Sequence, residues 1–380
     1  MPGKVPKERS SVDICRQRLA NQHLITPSME NASDVVRLLG AVQAQDYPAA
    51  KWGLAQRTRA ATDANVEKEI SDGSILRTHV LRPTWHFVAP EDIRWMLALT
   101  APRVKAILSH YDRKLGLDAV VLRRSHAALT KALRNRKHLT RTELALVLTK
   151  AGIRADDTQR LARLVMHAEL DGLVCNGPRR GKQFTYALLD ERVPPGKKLE
   201  RDIALHALAA RYFSTRGPAT EADFAWWSGL TKTDAKFAVR DLEPSLESAV
   251  IGGRRYWFPP TAPFARRKSS VARLLPNFDE YFIGLKDRSA MLTKLTSAGF
   301  QDRFGFLGGH AITIEGQIVG KWQRTVADKT VIVRLELFTR LSTTEQHAVE
   351  VEASRFAAFL EMPGRCEIRR FRDRLAGSTG

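Results

Sequence analysis

Apolar and polar positions follow helical and strand periods in an order that repeats along the chain. Residues 34–42 place apolar side chains three and four positions apart, which predicts a helix with one buried face. A second short helix is expected near residues 65–71. The stretch SILRTHVLRPTWHFV then alternates, contains β-branched and aromatic residues, and turns at Arg82-Pro83, which predicts a hairpin. Pro90-Glu91-Asp92 opens a further helix with acidic residues in its first turn.

The same order of helix, turn, helix and hairpin returns between residues 140 and 190. Helices are predicted over 140–150 and 158–171, and the second has an apolar stripe through Leu161, Leu164 and Ala168. The segment LVCNGPRRGKQFTYALL predicts the hairpin. Because helical geometry separates them from the apolar stripe, basic side chains on the second helix are expected to face outward. The basic residues of this helix and of the hairpin tip are Arg160, Arg163, His167, Arg179, Arg180 and Lys182.

A third copy of the order follows the linker ERVPPGKK. Thr220 is expected to cap one helix, Gly229 marks the turn, and Thr231 begins the next helix. The segment AVIGGRRYWF predicts another hairpin. The basic residues on the second helix and at the hairpin tip are Lys232, Lys236, Arg240, Arg254 and Arg255.

Beyond about residue 271 the pattern changes to long alternating segments, which predict an antiparallel β-meander. Ser342 and Glu345 form a capping-box pattern at the start of a closing helix, and a basic tail follows it. A helix-turn-helix followed by a hairpin is the winged-helix pattern. The sequence therefore predicts an α+β protein of tandem winged-helix units with a C-terminal antiparallel β domain. The expected boundaries are 1–115, 116–195, 196–265 and 266–380.

Charge narrows the set of partners. Lys and Arg number 61 against 41 Asp and Glu, a net charge of +20, which attracts polyanions. Nucleic acid is the leading partner and an anionic membrane surface the second. No stretch approaches the roughly 20 apolar residues that cross a bilayer, and the basic N-terminus has no apolar core typical of a secretory signal. A cytoplasmic protein with free thiols is expected, because the three cysteines form neither a CxxC pair nor a metal-ligand spacing.

The most unusual segment is LLGAVQAQDYP, in which Gln43 and Gln45 are two positions apart. On a regular helix these side chains would point about 200° apart. Pro48 disfavours helix at Tyr47, and an extended exit from the helix would let both amides face one side. Two neutral amides supply donors and acceptors without charge. The alternative is that they cap the helix end or lie in solvent.

Other candidates for chemistry are weaker. His79 and His86 lie on the first hairpin with Arg77 and could contact phosphate or a base, although lone histidines are more often structural. Asp279 and Glu280 are adjacent carboxylates, but neighbouring residues on a strand face opposite ways. Three tryptophans are expected in the core rather than as platforms for bases: Trp85, Trp226 and Trp227.

Several motifs, in order along nearly the whole chain, resemble the AlkZ/YcaQ-type winged-helix DNA glycosylases. They are VQAQDYP, LRTHVLRPTWHFVAPEDIRWML, GPATEADFAWWSGLTK, LLPNFDEYFIGLKDR and IEGQIVGKW. The resemblance implies tandem winged helices and a C-terminal β domain in a C shape around a basic channel. It implies excision of N7-alkylated purines, including bulky adducts and interstrand crosslinks. It also places Gln43 and Gln45 in the active site as a Gln-apolar-Gln motif; the adjacent Asp46 is one position off that motif.

Two amides suit this chemistry. An N7-alkylated purine already carries positive charge and leaves readily, so the remaining tasks are to hold a water near C1′ and to stabilise the sugar cation. No lysine stands out as a Schiff-base nucleophile, so we expect a monofunctional, monomeric enzyme without cofactor or metal. The alternatives are a non-enzymatic winged-helix regulator and, more distantly, an RNA-binding factor. Full base flipping remains open, as does the choice between self-resistance to a DNA-alkylating natural product and general repair.

Overall fold

The computed structural model describes residues 10–196, 198–260, 270–298 and 309–370. Its helices are α1 Ser11–Asn21, α2 Ala32–Leu39, α3 Tyr47–Ala55, α4 Asp63–Asp72, α5 Pro90–Lys114, α6 Ala119–Leu133, α7 Arg141–Lys150, α8 Thr158–Leu170, α9 Leu189–Arg192, α10 Arg201–Arg216, α11 Glu221–Ser228, α12 Lys232–Leu242, α13 Glu280–Ile283, α14 Ser289–Ser297 and α15 Thr343–Phe359. Its strands are β1 Ala41–Gln43, β2 Leu76–His79, β3 Trp85–Val88, β4 Leu139–Thr140, β5 Val174–Asn176, β6 Thr185–Leu188, β7 Glu247–Ile251, β8 Arg254–Phe258, β9 Ala272–Leu275, β10 Ala311–Ile314, β11 Gln317–Ala327, β12 Thr330–Leu337 and β13 Gly364–Arg370.

The predicted order of helices and hairpins is confirmed in the second and third segments. Helices α7 and α8 precede the hairpin β5–β6, and α11 and α12 precede β7–β8. Thr140, Thr220 and Thr231 cap their helices through capping boxes. Gly229 takes the left-handed conformation at the turn, with φ of +70°. Local signals were sufficient here because caps and turns act over a few residues.

In the first segment the predicted helix over residues 34–42 is too long. Helix α2 ends at Leu39, and Gly40 follows with φ of +79°, a conformation that glycine adopts without steric cost. The next three residues form β1, which pairs antiparallel with β3 and brings Gln43 opposite His86. Strands β1, β3 and β2 form one small sheet in that order. The apolar period continued through Val42 because a buried strand also needs apolar residues.

The C-terminal region holds a five-stranded sheet in the order β13-β12-β11-β10-β9. Strands β9 to β12 pair antiparallel as predicted, and α15 begins at the predicted capping box of Ser342 and Glu345. Two expectations are wrong. The segment 364–370, expected as a basic tail, adds a strand parallel to β12. Asp279 and Glu280, placed on a strand, instead begin the short helix α13.

The hydrophobic core of the described residues has three parts. One lies wholly within residues 117–188. The other two each combine side chains from the N-terminal segment with side chains from the C-terminal region. Trp52 shows the second kind: its ring packs edge-on against Phe356 at 5.1 Å, and its Nε1 donates to the carbonyl of Leu274 at 2.8 Å. The glutamine segment therefore lies where distant parts of the chain share a core.

No helix within the described ranges has the length and apolar character required to cross a membrane. All three cysteines are unpaired; Cys15 and Cys175 are buried and Cys366 is exposed.

Candidate active site

Gln43 and Gln45 lie at the end of β1 and just beyond it. Gln43 is buried and Gln45 is exposed, with the fully buried Ala44 between them. The extended conformation continues past the strand, because the N–H of Ala44 donates to the carbonyl of Trp85 at 2.7 Å. The extended conformation expected here is confirmed, but Pro48 does not cause it: Tyr47 and Pro48 begin α3, where proline is tolerated in the first turn, and α2 already ends at Leu39. In the part of the chain that the structure describes, the side chain of Gln45 has no hydrogen-bond partner and is open to solvent.

A buried carboxylate holds the backbone of Gln43. Glu280 Oε1 accepts the N–H of Gln43 at 2.8 Å. Its other oxygen accepts from Arg216 Nε at 3.1 Å and from Trp227 Nε1 at 2.9 Å. The side chains of Glu280 and Arg216 are both fully buried. A buried charge is tolerated when it is paired and hydrogen-bonded, so this cluster forms a fixed support for the strand.

Arg216 extends that support to the elements on either side of Gly40. Its Nη1 donates to the carbonyl of Leu39 at 3.0 Å, and its Nη2 donates to the carbonyl of Ala41 at 3.1 Å. The first carbonyl ends α2 and the second begins β1. The guanidinium therefore fixes the bend between helix and strand that delivers Gln43 to the site.

Arg77 holds the peptide between the two glutamines. Its Nε donates to the carbonyl of Ala44 at 3.1 Å. Its guanidinium lies between the rings of Trp85, at 4.4 Å, and Phe184, at 4.5 Å. We predicted a DNA contact for Arg77, but the side chain is buried within the protein and its role there is to position the backbone. Trp85, expected in the core, is only half-buried.

Arg82 fixes the amide of Gln43. Its Nη2 donates to Gln43 Oε1 at 2.9 Å, so the amide oxygen faces Arg82 and the NH₂ group remains to donate elsewhere. Arg82 follows Leu81, whose φ of +62° is a strained conformation for a branched residue. Burial lowers the pKa of Arg82. Sequence reasoning missed Arg82; the Arg-Pro turn of the hairpin is the signal that could have marked it.

Asp46 has a structural role next to the pair. It is the N-cap of α3, and its Oδ1 accepts the N–H of Ala49 at 3.3 Å. This bond stabilises the helix that follows the glutamines.

The two histidines of the first hairpin lie inside the protein. His79 pairs with the buried Glu169. His86 is fully buried and its Nδ1 lies 2.9 Å from the carbonyl of Thr84. Burial, reinforced by the charge of Arg82, keeps the pKa of His86 well below its ordinary value, so the ring is neutral at pH 7. The expectation that these two side chains contact phosphate is therefore wrong, because both are enclosed by protein.

His86 predicts a pH dependence of stability. Its native pKa lies below the value of 6.5 that it has when unfolded, so the unfolded state binds the extra proton first. The contribution of His86 to the free energy of unfolding is therefore fully present well above pH 6.5. It is lost as the pH drops below that value, by about 1.4 kcal/mol per pH unit until the native ring also titrates. Urea unfolding at pH 7.5, 6.0 and 5.0 should show a smaller loss for His86→Gln than for wild type. Equal losses in both proteins would contradict this assignment.

The basic face of α8 is not exposed, contrary to our prediction. Arg163 Nε donates to Asp112 Oδ1 at 3.0 Å, and His167 Nε2 lies 3.0 Å from the other oxygen of Asp112. Arg160 donates to the carbonyl of Leu115 and, at 2.8 Å, to that of Arg154. The long helix α5 carries Asp112 across this face. Arg163 and His167 are 51 and 55 positions from Asp112 along the chain, so a helical period cannot reveal these contacts.

The remaining predicted basic residues are nearer to solvent. On the hairpin β5–β6, Arg179 pairs with Glu67 at 3.2 Å, Arg180 with Glu143 at 2.8 Å, and Lys182 is exposed. On α12 and the hairpin β7–β8, all of the predicted basic side chains are exposed, although Arg254 pairs with Asp287. They are Lys232, Lys236, Arg240, Arg254 and Arg255.

The adjacent carboxylates and the tryptophans occupy different environments. Asp279 forms a buried pair with Arg57 at 2.8 Å, and Glu280 carries the support described above, so neither is free to act as a general acid. Trp227 is fully buried, as expected. Trp226 was also expected in the core, but 41% of it is exposed. Trp227 faces the core while Trp226 does not, because adjacent positions on a helix lie about 100° apart.

Comparison with known protein families identifies the class of this protein as the DNA glycosylases. A family model described as "DNA glycosylase AlkZ-like" matches residues 36–359, most of the 380. The chain belongs to the AlkZ-like DNA glycosylase family, and its members are enzymes. The match includes both glutamines and Glu280.

Two comparisons with individual proteins agree with the family. An interstrand DNA cross-link repair glycosylase of Streptomyces sahachiroi is 28% identical over 363 residues, covering 90% of this chain and 94% of that protein. The solved structure of the S. sahachiroi DNA glycosylase AlkZ is similar with a TM-score of 0.77 and 24% identity, and it covers 96% of this chain and all of that one. At 24% identity, the similarity to the solved structure shows the fold alone.

Proposed function

We propose that this enzyme hydrolyses the N-glycosidic bond of N7-alkylated purines in double-stranded DNA, including bulky adducts and interstrand crosslinks. The observation that carries the proposal is the Gln43-Ala44-Gln45 segment. Its backbone is fixed by Glu280 and Arg77, and one of its amides is oriented by Arg82. The cross-link repair function of the S. sahachiroi relative supports the substrate class. Whether the lesion is natural-product damage or general alkylation is left to a substrate panel.

We propose different tasks for the two amides. Gln43 has its oxygen held by Arg82, so it offers N–H donors that can bind the attacking water through the water's oxygen. Gln45 is exposed, and its oxygen can accept a hydrogen bond from that water or face the developing sugar cation; the water loses its proton to solvent once its oxygen has bonded to C1′. The alkylated base leaves as a neutral purine, so no general acid is needed. Catalysis is then positioning and aligned dipoles, without a covalent intermediate.

We propose that DNA lies against the exposed basic residues of the third segment and the tip of the second hairpin. In this arrangement the three helix–helix–hairpin segments act as winged-helix units, with boundaries near residues 115, 195 and 265, in a C shape around a channel. A monomer would then enclose one lesion. The exposure of Lys232, Lys236 and Arg240 along one face of α12 supports this surface.

The test is base release. Duplexes that contain N7-methylguanine or a nitrogen-mustard crosslink are incubated with the protein, and free base is measured by chromatography. We expect base release and alkali-labile sites, with no strand cleavage before alkali and no borohydride-trapped adduct. A protein that binds DNA but releases no base from any such substrate would instead be a non-enzymatic DNA binder.

DNA binding should weaken steeply with salt. About 6–10 phosphate contacts predict a loss of about 10³–10⁵ in affinity between 50 and 200 mM salt, because each contact releases condensed counterions. Fluorescence anisotropy on a labelled duplex measures this slope. A flat response would contradict a phosphate-lined channel.

Removing the basic face of α12 should reduce that slope. The triple variant Lys232→Ala, Lys236→Ala, Arg240→Ala is expected to lower it by up to about three contacts, with little loss of stability because the side chains are exposed. The matched variant Arg160→Ala, Arg163→Ala should instead lower the unfolding midpoint and leave the slope nearly unchanged, since those guanidiniums are bound within the protein. The reverse pattern would place DNA on α8.

A further inference from the structure

Two arginines flank an exposed tryptophan beside Gln43. The guanidinium carbons of Arg82 and Arg288 each lie 6.0 Å from the ring centre of Trp226. Arg82 comes from the loop between β2 and β3, Arg288 from the turn before α14, and Trp226 from α11. Three separate parts of the chain therefore bring two positive charges to one place.

Both guanidiniums have donors that are not used. Arg82 Nη2 binds Gln43, but Arg82 Nε is buried without an acceptor. Arg288 Nε donates to the carbonyl of Phe282 at 3.0 Å, while Arg288 Nη2 is likewise buried without an acceptor. Within the described ranges neither arginine forms an ion pair. Buried N–H groups nearly always have partners, so two such donors on arginines that lie against the same tryptophan ring suit a ligand with acceptor oxygens.

The nearby carboxylates are already engaged. Glu280, whose charge acts on Arg82, binds Arg216, Trp227 and the N–H of Gln43. Asp223, near Arg288, accepts the N–H groups of Lys286 and Asp287, both at 2.8 Å. Burial lowers the pKa of Arg288, and the charge of Arg82 lowers it further. An anion between the two guanidiniums would remove this repulsion.

We propose that Arg82 and Arg288 together bind a backbone phosphodiester of the DNA, next to the nucleotide that Gln43 and Gln45 act on. The planar fork of arginine matches phosphate oxygens, and phosphate contacts fix the register of a protein on DNA. This inference rests on the proposed function only in placing the damaged nucleotide at Gln43. It assigns Arg82 two tasks: it orients the Gln43 amide and ties that amide to a fixed point on the DNA backbone.

The phosphate also resolves an electrostatic conflict. The reaction develops positive charge on the sugar, and an uncompensated cation at Arg82 would oppose it. A bound phosphodiester neutralises that cation at the moment when DNA is correctly seated. Substrate that is not engaged at this position is then hydrolysed slowly, so binding and chemistry are coupled through one side chain.

The experiment pairs a protein variant with a neutral phosphate analogue. Lesion duplexes carry one methylphosphonate at each backbone position around N7-methylguanine, and affinity is measured for wild type, Arg288→Met and Arg288→Lys. Arg59→Met, which removes an equally charged but exposed side chain paired with Glu30, is the matched control. Thermal midpoints are recorded for every variant, so that loss of folding is separated from loss of contact.

We expect one methylphosphonate position to weaken wild type about tenfold or more and to weaken Arg288→Met clearly less, because only Arg82 then remains to contact the phosphate. The salt slope of Arg288→Met should be smaller by about one unit, that of Arg288→Lys should be close to wild type, and Arg59→Met should match wild type. If no position couples to Arg288 although base is released, the phosphate pair is wrong and the glycosylase proposal stands. If coupling is found but no base is released, the glycosylase proposal is wrong and the phosphate pair stands.

Competition with inorganic phosphate tests whether the two arginines bind a free phosphate anion instead of the DNA backbone. At constant ionic strength, free phosphate should compete weakly with DNA for wild type and more weakly still for Arg288→Met, which keeps only Arg82. Strong competition together with insensitivity to every methylphosphonate would assign the pair to a free anion and overturn the assignment to DNA. Should Arg288→Met fail to fold, Arg288→Gln, which removes the charge but keeps a polar side chain, takes its place in the scan and must show the same reduced sensitivity.

Discussion

Replacing both Gln43 and Gln45 with alanine is expected to reduce the rate of base release from N7-methylguanine DNA by at least about 10²–10³. This range is the usual cost of losing one preoriented donor in an active site, and the double variant loses two amides. Binding to undamaged DNA should change little, since neither side chain is needed for general phosphate contacts. Single-turnover rates and anisotropy separate the two quantities.

Gln159→Ala provides the matched control, because Gln159 is an exposed glutamine on α8, away from the segment. It should retain the wild-type rate. A double variant that releases base within a few-fold of wild type would remove the two amides from the mechanism. Gln43→Ala alone should be the more damaging single change, since it also leaves Arg82 Nη2 without its acceptor.

The second large effect concerns stability. Glu280→Ala is expected to lower the free energy of unfolding by about 3–5 kcal/mol, because it leaves the buried Arg216 uncompensated. It also removes the acceptor of the Gln43 N–H. Urea titration followed by tryptophan fluorescence measures the change. Glu280→Gln should be intermediate, since it keeps the shape and one acceptor oxygen but loses the charge.

The exposed pair of Arg59 and Glu30 is the comparison for this result. Glu30→Ala breaks an ion pair of 2.8 Å whose side chains are both more than half exposed, so the unfolding midpoint should hardly move. If Glu280→Ala moves the midpoint as little as Glu30→Ala does, then Arg216 and Glu280 do not form the support for β1. That outcome would also weaken the case that this pair positions Gln43.

Local features were predictable because their causes are local. The caps at Thr220 and Ser342, the helix starts at Thr140 and Thr231 and the turn at Gly229 all depend on contacts within four residues, and each was found from the sequence. The Gln-apolar-Gln segment was also found, together with its extended exit. These positions depend on backbone conformation and on a motif rather than on distant contacts.

What sequence reasoning missed depends on contacts across the chain. The sequence predicted that Arg163 faces DNA, but in the fold it binds Asp112 of α5. The sequence offered Glu280 only as a weak catalytic candidate beside Asp279. In the fold it accepts the backbone N–H of Gln43, which is 237 positions away along the chain. Neither a helical period nor a charge count contains the identity of a partner so far along the chain. Arg82 and Arg288 were missed for the same reason.

The bond between Gln43 and Glu280 has a consequence for synthesis of the protein. The glutamines leave the ribosome long before Glu280 does, since the two ends of that bond are 237 residues apart. Until α13 has been made and has docked, β1 lacks its carboxylate support. A growing or truncated chain can therefore expose its positive charge before the strand that carries the proposed catalytic residue Gln43 has its support. If Gln43 acts as we propose, base excision requires that the C-terminal region has first folded onto the N-terminal one.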